Sequence, residues 1–382
     1  MKLLLGKFGK HYNFMEFNNI YNGKKVFITG NTGFKGSWLS TWLIHLGAKV
    51  YGYSKDVPTS PSMFDALQLK DKCDHTVGDI RDKVTLEKAI LEAKPDFIFH
   101  LAAQSIVSTS YKEPLETIST NVVGTAVILD IIKDLDFECN CVIITSDKAY
   151  DNVEWIWGYR ENDRMGGKDI YSGSKGAAEL IINSYIESFI SKKSNIKIAT
   201  VRAGNVIGGG DWSADRIVVD CINAFNNNSI VELRSPSATR PWQHVLEPLS
   251  GYLVTGQFLF ENKPINREVF NFGPSSEQIR TVFELSSELE KRWFGTTKSL
   301  IQVTDNIPFE EAKLLKLNCD KALAYLQWKA TLDFNHILDF IVEWYKCYYT
   351  SPSEIYSLTI KQIEEYTQRA NLLDINWTRK ND

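Results

Sequence analysis

Short apolar runs alternate with amphipathic ones through the first half of the chain. "KKVFIT" (residues 24–29) is a compact β-rich run, and glycines follow it at once. In "FKGSWLSTWLIHLG" (residues 34–47), Leu39, Leu43 and Leu46 fall on one helical face and Gly47 makes a natural stop. "AKVYGYS" predicts a second strand, so the segment reads as a βαβ unit. Further strands are expected in "CDHTVGDI", "PDFIFHLAA", "CVIITS" and "IKIATVRAG". Helices are expected between them, in "KVTLEKAILEAK", "TNVVGTAVILDIIKDL" and "YSGSKGAAELIINSYIESF". Short apolar strands that alternate with helices imply an α/β fold, a doubly wound parallel sheet covered on both faces.

Beyond Gly204 the pattern loosens. A loop, "NVIGGGDWSADR", precedes a helix, "RIVVDCINAFNNN", and "VELRSPSATRPWQHV" reads as strand and loop. "EPLSGYLVTGQFLF" returns to helical spacing, and "EVFNFGP" suggests a further strand. The expected division is an N-terminal surface arm (1–20), a sheet domain (21–205 with returns near 245–275), and a smaller interleaved substrate-binding lobe (206–244 and 276–350). A C-terminal helix and tail (351–382) should present Ile355, Leu358, Thr359, Ile363 and Tyr366 to a partner surface.

Composition narrows the function classes. Of 382 residues, 43% are hydrophobic and 24% charged, which suits a soluble globular protein. The net charge of −4 argues against nucleic acid or an anionic membrane as a partner. Three leucines near the start are too few for a signal peptide, and no run reads as long enough to span a bilayer. The six scattered cysteines lack CxxC spacing and are expected as reduced thiols in a cytoplasmic protein. No His/Cys/Asp cluster has metal-ligand spacing, so no metal is expected.

"TGNTGFKG" places Gly30, Gly33 and Gly36 where the first strand turns into the first helix. The first two allow a tight turn close to a pyrophosphate, and Gly36 lets the helix pack on the strand. That is the pattern of a dinucleotide-binding Rossmann sheet. The acidic residue expected after the second strand is missing: "VYGYSKD" offers Tyr53, Ser54 and Lys55 before Asp56. Charge alone therefore leaves NAD and NADP both open. Asp79 either takes the adenine amino group or caps the next helix.

"YSGSK" sets Tyr171 and Lys175 one helical turn apart. A neighbouring ammonium favours a phenolate, which can remove a hydroxyl proton while a nicotinamide accepts the hydride. "TSDKAYDN" (residues 145–152) adds a hydroxyl, a carboxylate and an amine where a buried strand runs out of core. Alone, that trio is also readable as a capped turn with Asp147 paired to Lys148. His100, at a strand end, reads as packed core.

With these motifs the sequence resembles the extended short-chain dehydrogenase/reductase family. The carriers are "TGNTGFKG", "HLAAQ", "YSGSK" and "RAGNVIGGGDW". Within it, the chain is similar to the CDP-glucose 4,6-dehydratases in "TGFKGSWL", "TSDKAYDNVEWIWGYRENDRMGG", "RPWQHVLEPLSGYL" and "LTIKQIEEY". The resemblance runs from about residue 24 to 366. It implies NAD as cofactor and a nucleotide sugar, CDP-glucose, as substrate, in a homodimer or homotetramer. The implied reaction oxidises carbon 4, removes the carbon 5 proton, expels the carbon 6 hydroxyl as water and returns the hydride to carbon 6.

By resemblance, Ser146 and Tyr171 attend the carbon 4 oxygen and Asp147 protonates the leaving hydroxyl. Lys148 stands where the dTDP-sugar enzymes carry a glutamate base; it serves either as base or as electrostatic stabiliser. The resemblance assigns the cofactor to Gly30, Thr32, Gly33, Phe34, Gly36, Asp79, Ile80, Leu101, Ala102, Ala103, Gln104, Asn121, Tyr171 and Lys175. It assigns the diphosphate and nucleotide to Asn205, Arg216, Arg234, Arg240 and Trp242. Trp155, Trp157 and Tyr159 are either a wall over the sugar or ordinary packing. Ala149 and Ile170 depart from the family's usual cysteine and proline, and the missing strand-end acid fits a member that holds NAD loosely. Another dehydratase or an epimerase of the same family is the alternative; an epimerase has no use for the Asp147–Lys148 pair.

Overall fold

Seven strands form one parallel sheet: β1 (Lys25–Thr29), β2 (Lys49–Ser54), β3 (Asp74–Val77), β4 (Phe97–His100), β5 (Cys139–Ile144), β6 (Ile196–Ala203) and β7 (Val269–Phe272). Their spatial order is β7-β6-β5-β4-β1-β2-β3. The computed structural model describes residues 15–275, 278–304 and 314–379. The chain reverses direction across the sheet between β1 and β4, and that switch point opens a crevice at the strands' carboxyl ends.

Period-two alternation sends successive strand residues to opposite faces. Val26, Ile28, Phe97, Phe99 and Val142 join one core, with Trp38, Leu39 and Trp42 of α1 (Phe34–His45). Phe27, Ile98, Cys141, Ile143 and Ile198 join the other, with Leu86 and Ile90 of α2 (Lys83–Ala93) and Ile128 and Leu129 of α3 (Gly124–Ile132). Ile182 and Ile186 of α4 (Ile170–Ser188) pack in the same layer. Each such buried side chain contributes about 1.5–3 kcal/mol. Propensity differences of under about 1 kcal/mol per residue cannot compete with that.

The remainder is built from short pieces. Val206–Ile207 pairs with Gln243–His244, Val231–Leu233 with Ile301–Val303, and Thr239–Pro241 with Ile279–Thr281. Helices α5 (Ile217–Asn226), α7 (Val282–Phe294) and α8 (Phe334–Thr350) flank them, α6 (Leu246–Phe260) packs mainly on β5 and β6, and α9 (Ile355–Leu372) packs on α8 and α1. A reciprocal capping box, Thr281 with Glu284, fixes the start of α7.

Three expectations change. Residues 15–20 do not stand off the surface: Phe17 is buried, stacked on Trp377 and edge-on to Trp42. The rest of the expected arm, residues 1–14, lies outside the described residues. Helix α9 turns Ile355, Thr359, Ile363 and Tyr366 into the chain's own core, where the Tyr366 hydroxyl donates to Glu247 at 2.9 Å. The helical stretch 114–132, which contains a π turn at Ser119–Val123, is long and apolar enough to cross a membrane by composition. Its polar residues are used within the fold instead: Glu116 binds Arg81, Thr117 binds Gln104, and Asn121 binds Ser174.

Candidate active site

The glycine turn shows why those positions need glycine. Gly30 has φ +78°, and a Cβ there would stand 2.8 Å from the Ala102 nitrogen. A Cβ on Gly36 would fall 2.1 Å from the Gly30 carbonyl oxygen. Gly33 precedes α1 and supplies no side-chain cap, so the amides of the first turn are left to a ligand. Ser54 steadies the turn, donating to Asn31 at 2.8 Å and accepting from the Thr32 N–H at 3.3 Å. The cradle fits the pyrophosphate of a dinucleotide.

From this turn a cavity of about 1370 Å³ runs along the carboxyl ends of β1, β4, β5 and β6. Its walls include every residue expected to hold the cofactor except Asn121, and every residue expected to hold the nucleotide sugar. Asn121 is buried, donating from its amide to the Gln104 carbonyl and to Ser174 Oγ. It ties the Gln104 loop to α4 from behind rather than facing the cavity.

Ser146, Asp147 and Lys148 line the same cavity. The turn Asp147–Ala149 is a single 3-10 turn capped by Ser146, whose Oγ accepts from the Lys148 N–H at 3.2 Å and donates to Asp147 Oδ1 at 3.0 Å. Asp147 is only 3% exposed, and a Cβ at Gly204 would stand 3.3 Å from its Oδ2. Burial raises its carboxyl pKa, opposed by the Lys148 ammonium, the Ser146 hydroxyl and the Lys35 ammonium. The group is thus disposed to keep a proton.

Helix α4 begins at the Asp169 cap, which accepts from the Ser172 N–H at 2.9 Å, and projects Tyr171 and Lys175 inward. Lysine does not dominate the tyrosine as expected. Burial pushes the Tyr171 phenol up to about 12, and the cation that opposes this most is Arg216. The Lys175 ammonium lies 5.9 Å from the Tyr171 ring centroid. Lys175 is itself lowered to about 8, by burial and by Lys35, with Glu179 acting the other way.

Behind the Asp147–Ala149 turn sits a buried ion pair that the sequence reading missed. Arg202 of β6 grips Glu179 of α4 with Nε to Oε1 at 2.7 Å and Nη2 to Oε2 at 3.1 Å. Thr145 donates to the same carboxylate. Arg202 also donates to the Tyr150 hydroxyl at 2.6 Å, and Tyr150 donates to Asn271 at 2.8 Å. Glu179 lies one turn beyond Lys175, so continuing the i, i+4 row from Tyr171 was the available signal.

At the adenine end, Asp79 does not cap the next helix; Asp82 does, accepting from the Thr85 N–H. Asp79 instead binds Arg81 through both oxygens, and this pairing lowers its carboxyl to about 2. Glu116 holds the other side of Arg81, and Lys55 lies 3.7 Å from Asp79 and 3.6 Å from Glu116.

Trp242 is buried with its indole N–H on the Arg280 carbonyl, and the Arg240 guanidinium donates to the Thr239 carbonyl. Arg234 stands 3.9 Å from Asp215. Arg216 occupies the cap position of α5, close enough to act on Tyr171 and Lys35. Tyr159 and Trp155 take the packing reading, Tyr159 stacked on Tyr150 and Trp155 packed on Tyr159, whereas Trp157 is 65% exposed; none of the three lines the cavity. His100 is buried between the Thr29 and Thr125 hydroxyls.

A family model described as GDP-mannose 4,6 dehydratase matches residues 27–340. The chain belongs to that family. A CDP-glucose 4,6-dehydratase of Salmonella typhimurium is 47% identical over 334 residues, covering 86% of this chain and 92% of the relative. Among solved structures, a dTDP-glucose 4,6-dehydratase of Bacillus anthracis in complex with NAD superposes with a TM-score of 0.71 at 20% identity, covering 85% of this chain and 97% of that one. A UDP-glucose 4-epimerase of Thermotoga maritima with UDP-glucose gives 0.73 at 21%, covering 84% and 98%. Those two likenesses establish the fold.

Proposed function

We propose that the protein is an NAD-dependent CDP-glucose 4,6-dehydratase, a lyase that makes CDP-4-keto-6-deoxyglucose. The observation that carries this reading is that one cavity holds the glycine cradle, the Tyr171–Lys175 row and the Asp147–Lys148 turn together. The relative at 47% identity supports the choice of CDP-glucose. An epimerase needs the first two features and has no task for the third.

Bound on the cradle, NAD supplies reversible hydride acceptance. Tyr171 takes the proton of the carbon 4 hydroxyl, helped by the Ser146 hydroxyl and by the positive charge of Arg216. A ketone at carbon 4 acidifies carbon 5. Lys148 is the nearest candidate to accept or stabilise that charge, being adjacent to Asp147 on the cavity wall. Asp147 gives its proton to the departing carbon 6 oxygen, and burial favours the protonated carboxyl this step needs.

The interleaved lobe, with Asn205, Arg216, Arg234, Arg240 and Trp242 on the cavity wall, holds the diphosphate and cytosine. A second copy of the chain covers the face that exposes Leu115, Ile118, Val123 and Leu180, giving a homodimer or a tetramer of such dimers. Six free cysteines suit the reducing cytoplasm.

The test is to incubate the purified protein and NAD with CDP-glucose and, separately, dTDP-glucose, then read the alkaline absorbance of a 4-keto-6-deoxy sugar. Product from CDP-glucose is expected. Equal or faster turnover of dTDP-glucose removes the nucleotide assignment, and no product from any nucleotide sugar removes the dehydratase.

A further inference from the structure

Lys35 sits in an electrostatically unfavourable place. It is the second residue of α1, where the helix's own dipole repels a cation, and no acidic residue offsets it in that first turn. Its side chain faces the cavity that also contains Asp147, Lys175 and Arg216. Burial first, and then Arg216, push its ammonium down to about 8, while Asp147 and Asp211 pull the other way. Among the described residues it forms no salt bridge. A cation placed against a helix dipole and beside two further cations is a net cost to the fold, offset only in part by Asp147 and Asp211. Such a placement is the mark of a functional group.

We propose that Lys35 is a positioning residue for the elimination step, stabilising the carboxylate that Asp147 becomes once its proton has left. The inference rests on the dehydratase reading above. In that step a base takes the carbon 5 proton and the C5=C6 bond forms. The C6–O bond breaks, and the oxygen leaves as water with the proton of Asp147. Asp147 is then a buried anion, which needs charge nearby. The groups acting on it are Lys148, Ser146 and Lys35, and its own charge raises the Tyr171 and Tyr252 hydroxyls. If Lys148 is occupied with the carbon 5 proton, Lys35 is the cation left to serve Asp147. The alternative role for Lys35, a plain phosphate contact, predicts a different kinetic signature.

Lys35→Met and Lys35→Arg separate these roles. With Lys35→Met, kcat should fall about 100-fold while KM for CDP-glucose stays within about three-fold, and mass spectrometry should find 4-keto hexose that has not lost water. Lys35→Arg should restore most of the loss. The melting temperature of Lys35→Met should match or exceed that of the wild type, because an unfavourable charge is gone. Unchanged kcat overturns the proposal. So does a raised KM with intact kcat, which marks a phosphate contact. So does a lowered melting temperature with no rescue by arginine, which marks a structural role. If Lys35→Met fails to fold, Lys35→Gln carries the same readouts. Failure of the dehydratase reading shows separately, as wild-type protein that does not turn over CDP-glucose.

Discussion

Two groups of cations stand in or beside one cavity, which Lys55 lines and Arg81 borders through Asp79 and Glu116, and they are handled in opposite ways. At the rim, Lys55 and Arg81 are matched by Asp79 and Glu116 in contacts of 2.6–3.7 Å, and Asp79 is lowered to about 2 in consequence. In the throat, Lys35, Lys175 and Arg216 stand together against Asp147 and Asp211, and both lysines are pushed down to about 8. Matched charge at a surface is a solvated structural feature worth little. Three clustered cations in a partly buried throat, only partly offset by its acids, are retained against their own cost, which points to a functional role. The throat also stands on a matched pair of its own, Arg202 with Glu179, but that pair is buried, and burial changes its weight.

The largest effect should come from the throat's reacting group. Tyr171→Phe removes the hydroxyl that the proposed mechanism uses to deprotonate the carbon 4 alcohol, and kcat should drop by about 10³-fold or more. Binding of CDP-glucose, measured by calorimetry, should change little, because the ring and its packing survive. A near-normal rate would mean that the throat's charges serve some other group.

Next in size is the pair beneath. Arg202→Met leaves the Glu179 carboxylate buried without its partner, which costs about 3–5 kcal/mol. Denaturant unfolding should show that loss. Turnover should fall as well, since Thr145 and Tyr150, on either side of Ser146–Ala149, are held by the same pair. A loss below about 1 kcal/mol would place this pair with the rim, and the contrast drawn from burial would fail.

The pH dependence follows from the two lysines. Both have folded pKa values near 8, below their ordinary value of 10.5. Between about 8 and 10.5 the unfolded chain binds more protons than the folded one, so stability should rise with pH across that window. Activity should move the other way, falling as pH passes about 8, because the roles proposed for Lys35 and Lys175 need their ammonium forms. Melting temperatures and kcat measured over the same buffers check both directions. Parallel decline of the two would indicate that these ammoniums hold the fold together.

How much of this could be read from the sequence differs between the same regions. Local signals carried far: the glycine turn, the Tyr171–Lys175 spacing and "TSDK" all lie within single short segments. The sheet was legible because β1, β4 and β5 are short, nearly continuous apolar runs, as strands covered on both faces must be. Charge matching was not legible. Arg81 meets Glu116 across 35 residues, and Arg202 meets Glu179 across 23. Asp79 looked like a cap because the true cap, Asp82, lies three residues on. Lys35 sat unremarked between Phe34 and Gly36, since its meaning comes only from what faces it across the cavity. Phe17 and the inner face of α9 read as surface because their partners, Trp377, Trp42 and Glu247, are remote in sequence.

The smallest expected effect belongs to the rim, and it is the sharpest check on the contrast. Arg81→Ala removes a guanidinium that binds Asp79 and Glu116 at once, with Nη1 and Nη2 contacts of 2.6 Å. Judged by contact distances alone, it should be as costly as Arg202→Met. The Arg81 side chain is 23% exposed, however, against 3% for Arg202, and its partners reach water when released. Lys55 remains beside both carboxylates to take up part of the charge. The expected loss of stability is therefore under about 1 kcal/mol. It should shrink further with added salt, because exposed pairs are screened over about 8–10 Å at physiological ionic strength. One consequence should survive the screening. Asp79, freed from Arg81, should titrate closer to its ordinary value of 3.8, so the stability it contributes should be lost at a higher pH during acid titration. If Arg81→Ala instead destabilises as strongly as Arg202→Met and resists salt, then contact geometry rather than burial sets the weight of a pair here. The throat's clustered cations would then need a different explanation.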